Sequence, residues 1–416
     1  MVCATCDLTR PNTMPHAAKA ATQSRHALVV IILAQLLGTS LWFSVNSAAE
    51  DLMQQWSASP SSIGVLTIAT QLGFISGTLI FALSGLADRF AAHKIFATCA
   101  LLGAVCNLSF VVFAHDVATG AIWRLLVGLC LSGIYPIGMK LVVGWAPHNA
   151  GKALAWLVGM LTLGTALPQG IKAIGSAMPW QMPLLVASGL AAVAAGMILR
   201  LGQGHTQPGK AASILSFGAV LQAFSIKEFR SASFGYFGHM WELYAMWTLT
   251  PLLIAHADLA SHLGLSTATV AFSVIAAGAL GCIIGGQLST RHGSARVAAA
   301  ALAMSATCCL IFPLIASHSA HAGVALMLLW GASVVADSPQ FSALAAGACP
   351  RAIVGSALSM QNAIGFAITV VAIGLTTQLV EHMGLAISWI LLPGPLLGLI
   401  ALMPLLRKRW PAGPAA

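Results

Sequence analysis

Apolar residues in this chain gather in runs of about twenty, each broken only briefly by a polar residue, and the runs continue almost from end to end. About 20 apolar residues in a helix cross the hydrocarbon core of a bilayer. Windows of that size predict crossings near 27–46, 62–83, 95–114, 118–144, 153–173 and 181–200. A second set falls near 232–254, 265–288, 297–316, 322–346, 355–379 and 385–406. The runs are continuous rather than alternating, and backbone in lipid must bond internally, so helices are expected rather than barrel strands. The expected fold class is an all-α membrane protein with twelve transmembrane helices.

Composition agrees with that pattern: 58% of residues are hydrophobic, 7% are charged, and mean hydropathy is +0.88. A soluble domain carries about 25% charged residues, so these charges cannot cover a water-facing surface. With the N-terminus inside, all but Arg124, Lys140 and Lys172 of the 19 Lys and Arg fall in segments predicted to be cytoplasmic. The opposite loops hold Glu50, Asp51, Asp116, Asp258 and Glu381. This positive-inside asymmetry predicts that both termini are cytoplasmic. Topology thus accounts for the net charge of +9, and no nucleic-acid partner is called for.

Residues 1–25 are polar, lack a signal-peptide core and read as a disordered cytoplasmic tail. Cys3 and Cys6 form a lone CxxC there, with no second pair to complete a metal site. The other cysteines lie mostly within spans and read as small packing residues. Six histidines on the outer face (His115, His256, His262, His318, His321, His382) follow no ligand spacing. No metal and no cofactor are expected.

The polar stretch 202–230 divides the spans six and six. The expected organisation is a tail at 1–25, a six-helix bundle at 26–201, a cytoplasmic linker at 202–230, a second bundle at 231–406 and a basic tail at 407–416. The halves repeat weakly at an offset of about 202–204: the run from Ser84 to Ala91 aligns with Gly286 to Gly293, Pro136 with Pro339, and Pro147 with Pro350. Parallel repeats of six helices are one transporter plan, with the substrate site between them near the midplane.

On these residues the chain resembles the major facilitator superfamily, across essentially all its spans. The run Gly85-Leu86-Ala87-Asp88-Arg89 is similar to the family's loop signature, and Arg291, Gly293 and Arg296 to its second copy. Arg124, Gly128, Pro136 and Trp145-Ala146-Pro147 are similar to its fourth-helix pattern. Ser84 stands where the family has Gly, and Thr290 where it has an acid. The resemblance implies a cavity lined by spans 1, 4, 7 and 10, a monomer, and a bacterial plasma (inner) membrane location. Asp88, Arg89 and Arg291 are expected to gate, since charges near helix ends bind neighbouring helix termini or anionic headgroups.

An ionisable side chain near the bilayer centre costs roughly 2.5–3.5 kcal/mol on insertion scales and is a functional candidate by default. Those found are Arg124 and Lys140 in span 4, His239 and Glu242 in span 7, and Asp337 in span 10. Tyr236, His239 and Glu242 recur every three residues as one drifting stripe, and Arg124 and Tyr135 share a helix face. Glu242 is expected to couple protons, with His239 as its relay and Asp337 as a second acid. A static Glu–His or Glu–Arg pair is the alternative, and for Asp337 capping of a turn beside Pro339. Arg124 is expected either to grip an anionic solute or to pair with Asp337 or Glu242. Trp42, Asn46, Tyr135, Tyr236, Lys140, Gln340, Gln361 and Asn362 complete the expected cavity; Gln71 and Gln287 are expected to bond between helices.

No GxxxxGK[ST], HExxH or GxSxG pattern is present, so an ATPase or membrane enzyme is not expected. The expected activity is proton-coupled secondary transport, by alternating access, of a small anionic or zwitterionic organic solute. The alternatives are proton-driven efflux of apolar or cationic compounds and, from another class, a non-transporting receptor or scaffold. The fifth span (Gly159, Gly164, Pro168, Gly170) only partly resembles the drug-exporter signature.

Overall fold

A computed structural model describes residues 14–145, 150–175, 178–204, 222–350 and 353–407. Cys3, Cys6, Pro147, Arg351, residues 205–221 of the expected linker, the tail beyond Arg407 and the side chain of Asp88 lie outside the described residues. The long helices are α1 (Met14–Thr39), α2 (Pro60–Ser84), α3 (Ala92–Phe113), α4 (Val117–Leu131), α5 (Tyr135–Trp145), α6 (Ala150–Ile174) and α7 (Gln181–Leu201). They continue as α8 (Lys227–His256), α9 (Thr267–His292), α10 (Ser294–Ala316), α11 (Ala320–Ala336), α12 (Ser338–Ala348), α13 (Val354–Met383) and α14 (Pro393–Arg407). No strand occurs among the described residues.

Nine helical segments among the described residues are long and apolar enough to cross a membrane. The difference from twelve has local causes. Ser24–Thr39 is apolar but short, α8 is diluted by His239, Glu242, Tyr244, Thr248 and Thr250, and one segment, Ala357–Arg407, spans two successive helices. The flanks of these helices expose large apolar side chains: Leu280 is 63% exposed, Leu397 62% and Val112 61%. Only an apolar solvent accepts such a surface. The chain is an integral, multi-pass membrane protein.

Proline sets two of the breaks. Pro136 follows the turn that separates α4 from α5, and Pro339 opens α12 beside Asp337. Proline lacks an N–H and its ring clashes with the preceding turn, so neither helix runs through. The Asp337 carbonyl instead accepts from the N–H groups of Gln340 (2.9 Å) and Phe341 (3.0 Å). The halves also share a crossing. A Cβ on Gly128 would lie 2.0 Å from the Thr70 carbonyl oxygen, and one on Gly331 2.0 Å from that of Val274. Only glycine permits α2 to meet α4, and α9 to meet α11, this closely.

Helices α1–α7 pack chiefly on one another, and so do α8–α14; α6 along α9 and α2 along α13 join the two halves. The end of the molecule that carries the start of α1 is called the terminal end, and its opposite the distal end.

Candidate functional site

At the distal end the halves close on an aromatic layer. Helix α1 stops at Thr39 and residues 40–45 form turns, where an unbroken span to residue 46 was expected. The turns aim Trp42 and Phe43 at the other half. Trp42 lies 5.6 Å from Tyr244 and 5.9 Å from Phe366 between ring centroids, Phe43 5.9 Å from Trp247, and Phe74 4.4 Å from Phe366. The Trp42 indole N–H donates to Gln71 Oε1 (3.1 Å), and Gln71 Nε2 donates across the halves to Thr369 Oγ1 (3.2 Å). Both tips are thus satisfied within the layer. Nearer the distal surface, a Cβ on Gly64 would sit 2.1 Å from Thr377 Oγ1, so α2 and α13 touch backbone to side chain.

Ending α1 early leaves carbonyls without intrahelical donors, and Arg124 takes them. Its guanidinium donates to the Trp42 carbonyl, to the Leu41 carbonyl (3.2 Å), to Ser44 Oγ (3.3 Å), to Asn107 Oδ1 (3.2 Å) and, through Nε, to Thr70 Oγ1 (3.1 Å). All three nitrogens are engaged inside the N-terminal half. The expected pairing of Arg124 with Asp337 or Glu242 is therefore not formed, and the side chain is not presented to a solute. A cation at a helix C-terminus is favourable electrostatically, and here it fixes the turn that carries Trp42.

Glu242 differs from expectation as well. Its Oε1 accepts from Ser305 Oγ (2.5 Å), the Trp330 indole N–H (2.6 Å) and Cys309 Sγ (3.1 Å). These donors lie on α10 and α11, so the carboxylate faces the interior of its own half rather than His239. The correction follows from helix phase: three residues turn the helix by about 300°, and the remaining 60° separates the two side chains. Cys309 is a hydrogen-bond donor here, not only a packing residue.

His239 pairs with Asp337 instead. Nδ1 lies 2.8 Å from Oδ1, and both side chains are buried. The approach has ion-pair distance but lies off the line of a hydrogen bond, and the imidazole's Nε2 has no partner. The ring sits 5.8 Å from Tyr236 and 6.1 Å from Phe341. Tyr236 is within electrostatic reach of Tyr135 on the opposite half, and Asp337 of Cys282. Cys282 in turn faces α6, where a Cβ on Gly159 would lie 3.6 Å from its own. The pair therefore stands at the seam between the halves, at the joint of α11 and α12.

The sequence model of the Major Facilitator Superfamily matches residues 31–373. The chain belongs to the major facilitator superfamily. It is a membrane transporter and not an enzyme. No curated protein matches it. Among solved structures, a bacterial homolog of the human lysosomal transporter Spinster, inward-facing and unoccupied, is similar at a TM-score of 0.66 and 14% identity, covering 92% of this chain and 95% of that one. A mutant of the nucleoside transporter NupG is similar at a TM-score of 0.67 and 14% identity, covering 91% and 99%. At this identity the likeness carries the fold alone.

Within this superfamily fold the remaining expected residues scatter. Asn46 Nδ2 donates to Thr67 Oγ1 (2.9 Å) and its carbonyl accepts from Gln169 (3.3 Å), so it braces the distal end of the N-terminal half. Lys140 is exposed at the terminal end and donates to the Ala87 carbonyl in the short helical turn after α2 (2.5 Å), beside the residues expected to gate and away from the expected cavity. Arg89 and Arg291 are exposed at that same end. Gln361 accepts from Ser233 (3.3 Å), Gln340 is buried on α12 beside Asp337, and Asn362 and Tyr135 are half-buried. Asn107, Thr70, Ser305 and Trp330 were not foreseen. Among the described residues no cluster of three or more His, Cys, Asp and Glu could hold a metal.

Proposed function

We propose that this protein is a proton-coupled secondary transporter of a small polar solute, with twelve crossings and both termini in the cytoplasm. The proton is carried by the His239–Asp337 pair, not by Glu242. The supporting observation is the 2.8 Å contact of these two side chains at the seam between the halves, with Nε2 of the imidazole left unpartnered. A buried acid–imidazole pair holds one proton more or less with a change of charge that a moving half-molecule feels. In this orientation the distal aromatic layer is the outer gate, shut, and α11/α12 is the broken helix beside the site.

The case for an anionic solute rested on Arg124, which is fully engaged by its own half, so charge on the solute loses its support. What gathers at the seam is Tyr135, Tyr236, His239 and Asp337, suited to hydrogen-bonding groups. A second reading, efflux of apolar or cationic compounds, is favoured by the wall of Trp42, Phe74, Tyr244 and Phe366, because aromatic faces attract cations. Reconstituted protein, an imposed pH gradient and a panel of organic acids, zwitterions, nucleosides and organic cations test both. The expected result is solute-triggered proton flux that Asp337→Asn abolishes while solute exchange without a gradient survives. Uphill accumulation at the parental level in Asp337→Asn overturns the coupling assignment, and no flux with any of the panel favours a receptor or scaffold.

A further inference from the structure

Two clefts at the terminal end of the molecule have no part in the reading above. One, of about 360 Å3, lies between the start of α1 and the end of α7 and is lined by His26, Val30, Met197 and Arg200, with Trp145 at its back. The other, of about 310 Å3, lies between the start of α8 and the end of α14 and is lined by Lys227, Arg230, Phe234, Ala401 and Pro404. Both volumes are in the range of small-ligand sites, about 300–1,000 Å3.

The clefts are the same place in the two repeats. Their lining residues correspond at one constant spacing: His26 with Arg230, Val30 with Phe234, Met197 with Ala401, and Arg200 with Pro404. A crevice that recurs on duplication is a property of how the first and last helices of each half diverge. Each is basic, and no acid lines either among the described residues. Each also carries apolar side chains beside its cations: Val30, Met197 and Leu201 line the first, and Phe234 (51% exposed) and Ile400 (58%) the second. Cations beside an acyl-chain surface match an anionic headgroup with its chains attached, and basic pockets between membrane helices bind such headgroups.

We infer that these clefts are a pair of binding sites for anionic phospholipid in the leaflet at the terminal end, His26 and Arg200 holding one phosphate and Lys227 and Arg230 the other. The acyl chains then lie along Val30 and Leu201 in the first site, and along Phe234 and Ile400 in the second. A lipid here ties α1 to α7 and α8 to α14, so it acts as a strut within each half and does not bridge the halves.

The test uses the full chain in detergent, with phosphatidylglycerol, phosphatidylcholine or inorganic phosphate added, read by native mass spectrometry and by melting temperature. Two phosphatidylglycerols are expected to stay bound, and the melting temperature to rise with that lipid alone. His26→Ala with Arg200→Ala is expected to remove one bound lipid, and Lys227→Ala with Arg230→Ala the other, affinity falling about fivefold for each Lys or Arg lost. Arg200→Lys and Arg230→Lys keep the charge and are expected to retain lipid, which separates loss of binding from loss of folding. Equal retention of phosphatidylcholine, or a fall as large in Lys94→Ala with Arg296→Ala, overturns the assignment, because surface charge or any lipid then suffices. Stabilisation by inorganic phosphate alone overturns the lipid as occupant.

Discussion

Arg124 and Glu242 occupy comparable places in the two halves, each where the first, third and fourth helical spans of its repeat meet, with Thr70 of the second span added around Arg124, yet they carry opposite charge. Asn107 and Cys309 stand at the repeat spacing and each contacts the buried charge of its own half. The difference lies in the first helix. In the N-terminal half α1 stops at Thr39 and frees carbonyls, so the cage needs a donor-rich cation. In the C-terminal half α8 runs from Lys227 to His256 without stopping, and Pro251, which withholds an N–H from the Trp247 carbonyl, lies beyond Glu242. There the cage can hold an acceptor, supplied with donors by Trp330, Ser305 and Cys309. A buried charge in a transporter is thus no proof of a transport role; its partners decide.

The largest effect is expected at Arg124. Arg124→Met removes the guanidinium donors to the Leu41 and Trp42 carbonyls; Leu41 keeps Ser44 Oγ (3.0 Å) while Trp42 loses its partner, and a buried carbonyl left unpaired costs about 1–3 kcal/mol. Thermal unfolding in detergent should show a large loss of stability, and Trp42 should leave the aromatic layer. A variant as stable as the parent breaks the comparison, because the cation would then not be what holds the turn. Next in size is Gly64→Ala, which drives a methyl into Thr377 Oγ1 only while the distal end is shut. Overpacking costs about 1–3 kcal/mol, and felt by one state alone it shifts the population about 5–150-fold toward an open distal end. Distances between spin labels on Ser57 and Ser261 measure this. No lengthening means that the layer, not the α2–α13 contact, sets closure.

Glu242→Gln is milder. The amide oxygen still accepts from Trp330, so the expected cost is about 1–2 kcal/mol, with proton-coupled transport retained. Loss of coupling without loss of stability returns the proton to Glu242. Such an outcome would also invert the lesson of the two cages.

The apolar runs disclosed the helices, and Pro339 the turn beside Asp337, because length and a missing N–H act locally; the break beside Pro136 fell inside a span read as continuous. The buried charges were legible as positions but not as roles. Two of the five acceptors around Arg124 are backbone carbonyls, and no side-chain pattern announces where a helix will stop and release them. His239 and Glu242 lie on one stripe in sequence, yet the 60° between them divides the seam from the bundle interior. Asp337 was legible beside Pro339; its partner was not, because that depended on the same 60°. Within each half, the one usable sign of the cages was the repeat itself, which sets Asn107 against Cys309.

The smallest effect concerns the two equivalent helix starts, Asp116 before α4 and Ser319 before α11. Asp116 Oδ1 accepts from the Thr119 N–H (2.8 Å) and hydroxyl (2.6 Å), whereas Ser319 Oγ accepts from the Ala322 N–H (3.3 Å). The Thr119 hydroxyl and N–H hold the Asp116 carboxyl below its ordinary value of 3.8. A carboxyl whose pKa is depressed by folding contributes stability above its unfolded pKa, and loses it as pH falls through the folded value. Acidification from pH 6 to pH 3 should therefore speed amide exchange at Thr119 relative to the intrinsic rate, while Ala322, capped by a hydroxyl that does not titrate, keeps its protection. Equal loss at both amides would mean that acid acts on the bundle as a whole. Loss at Thr119 alone shows that, here too, equivalent positions in the repeats answer to the chemistry of their own partners.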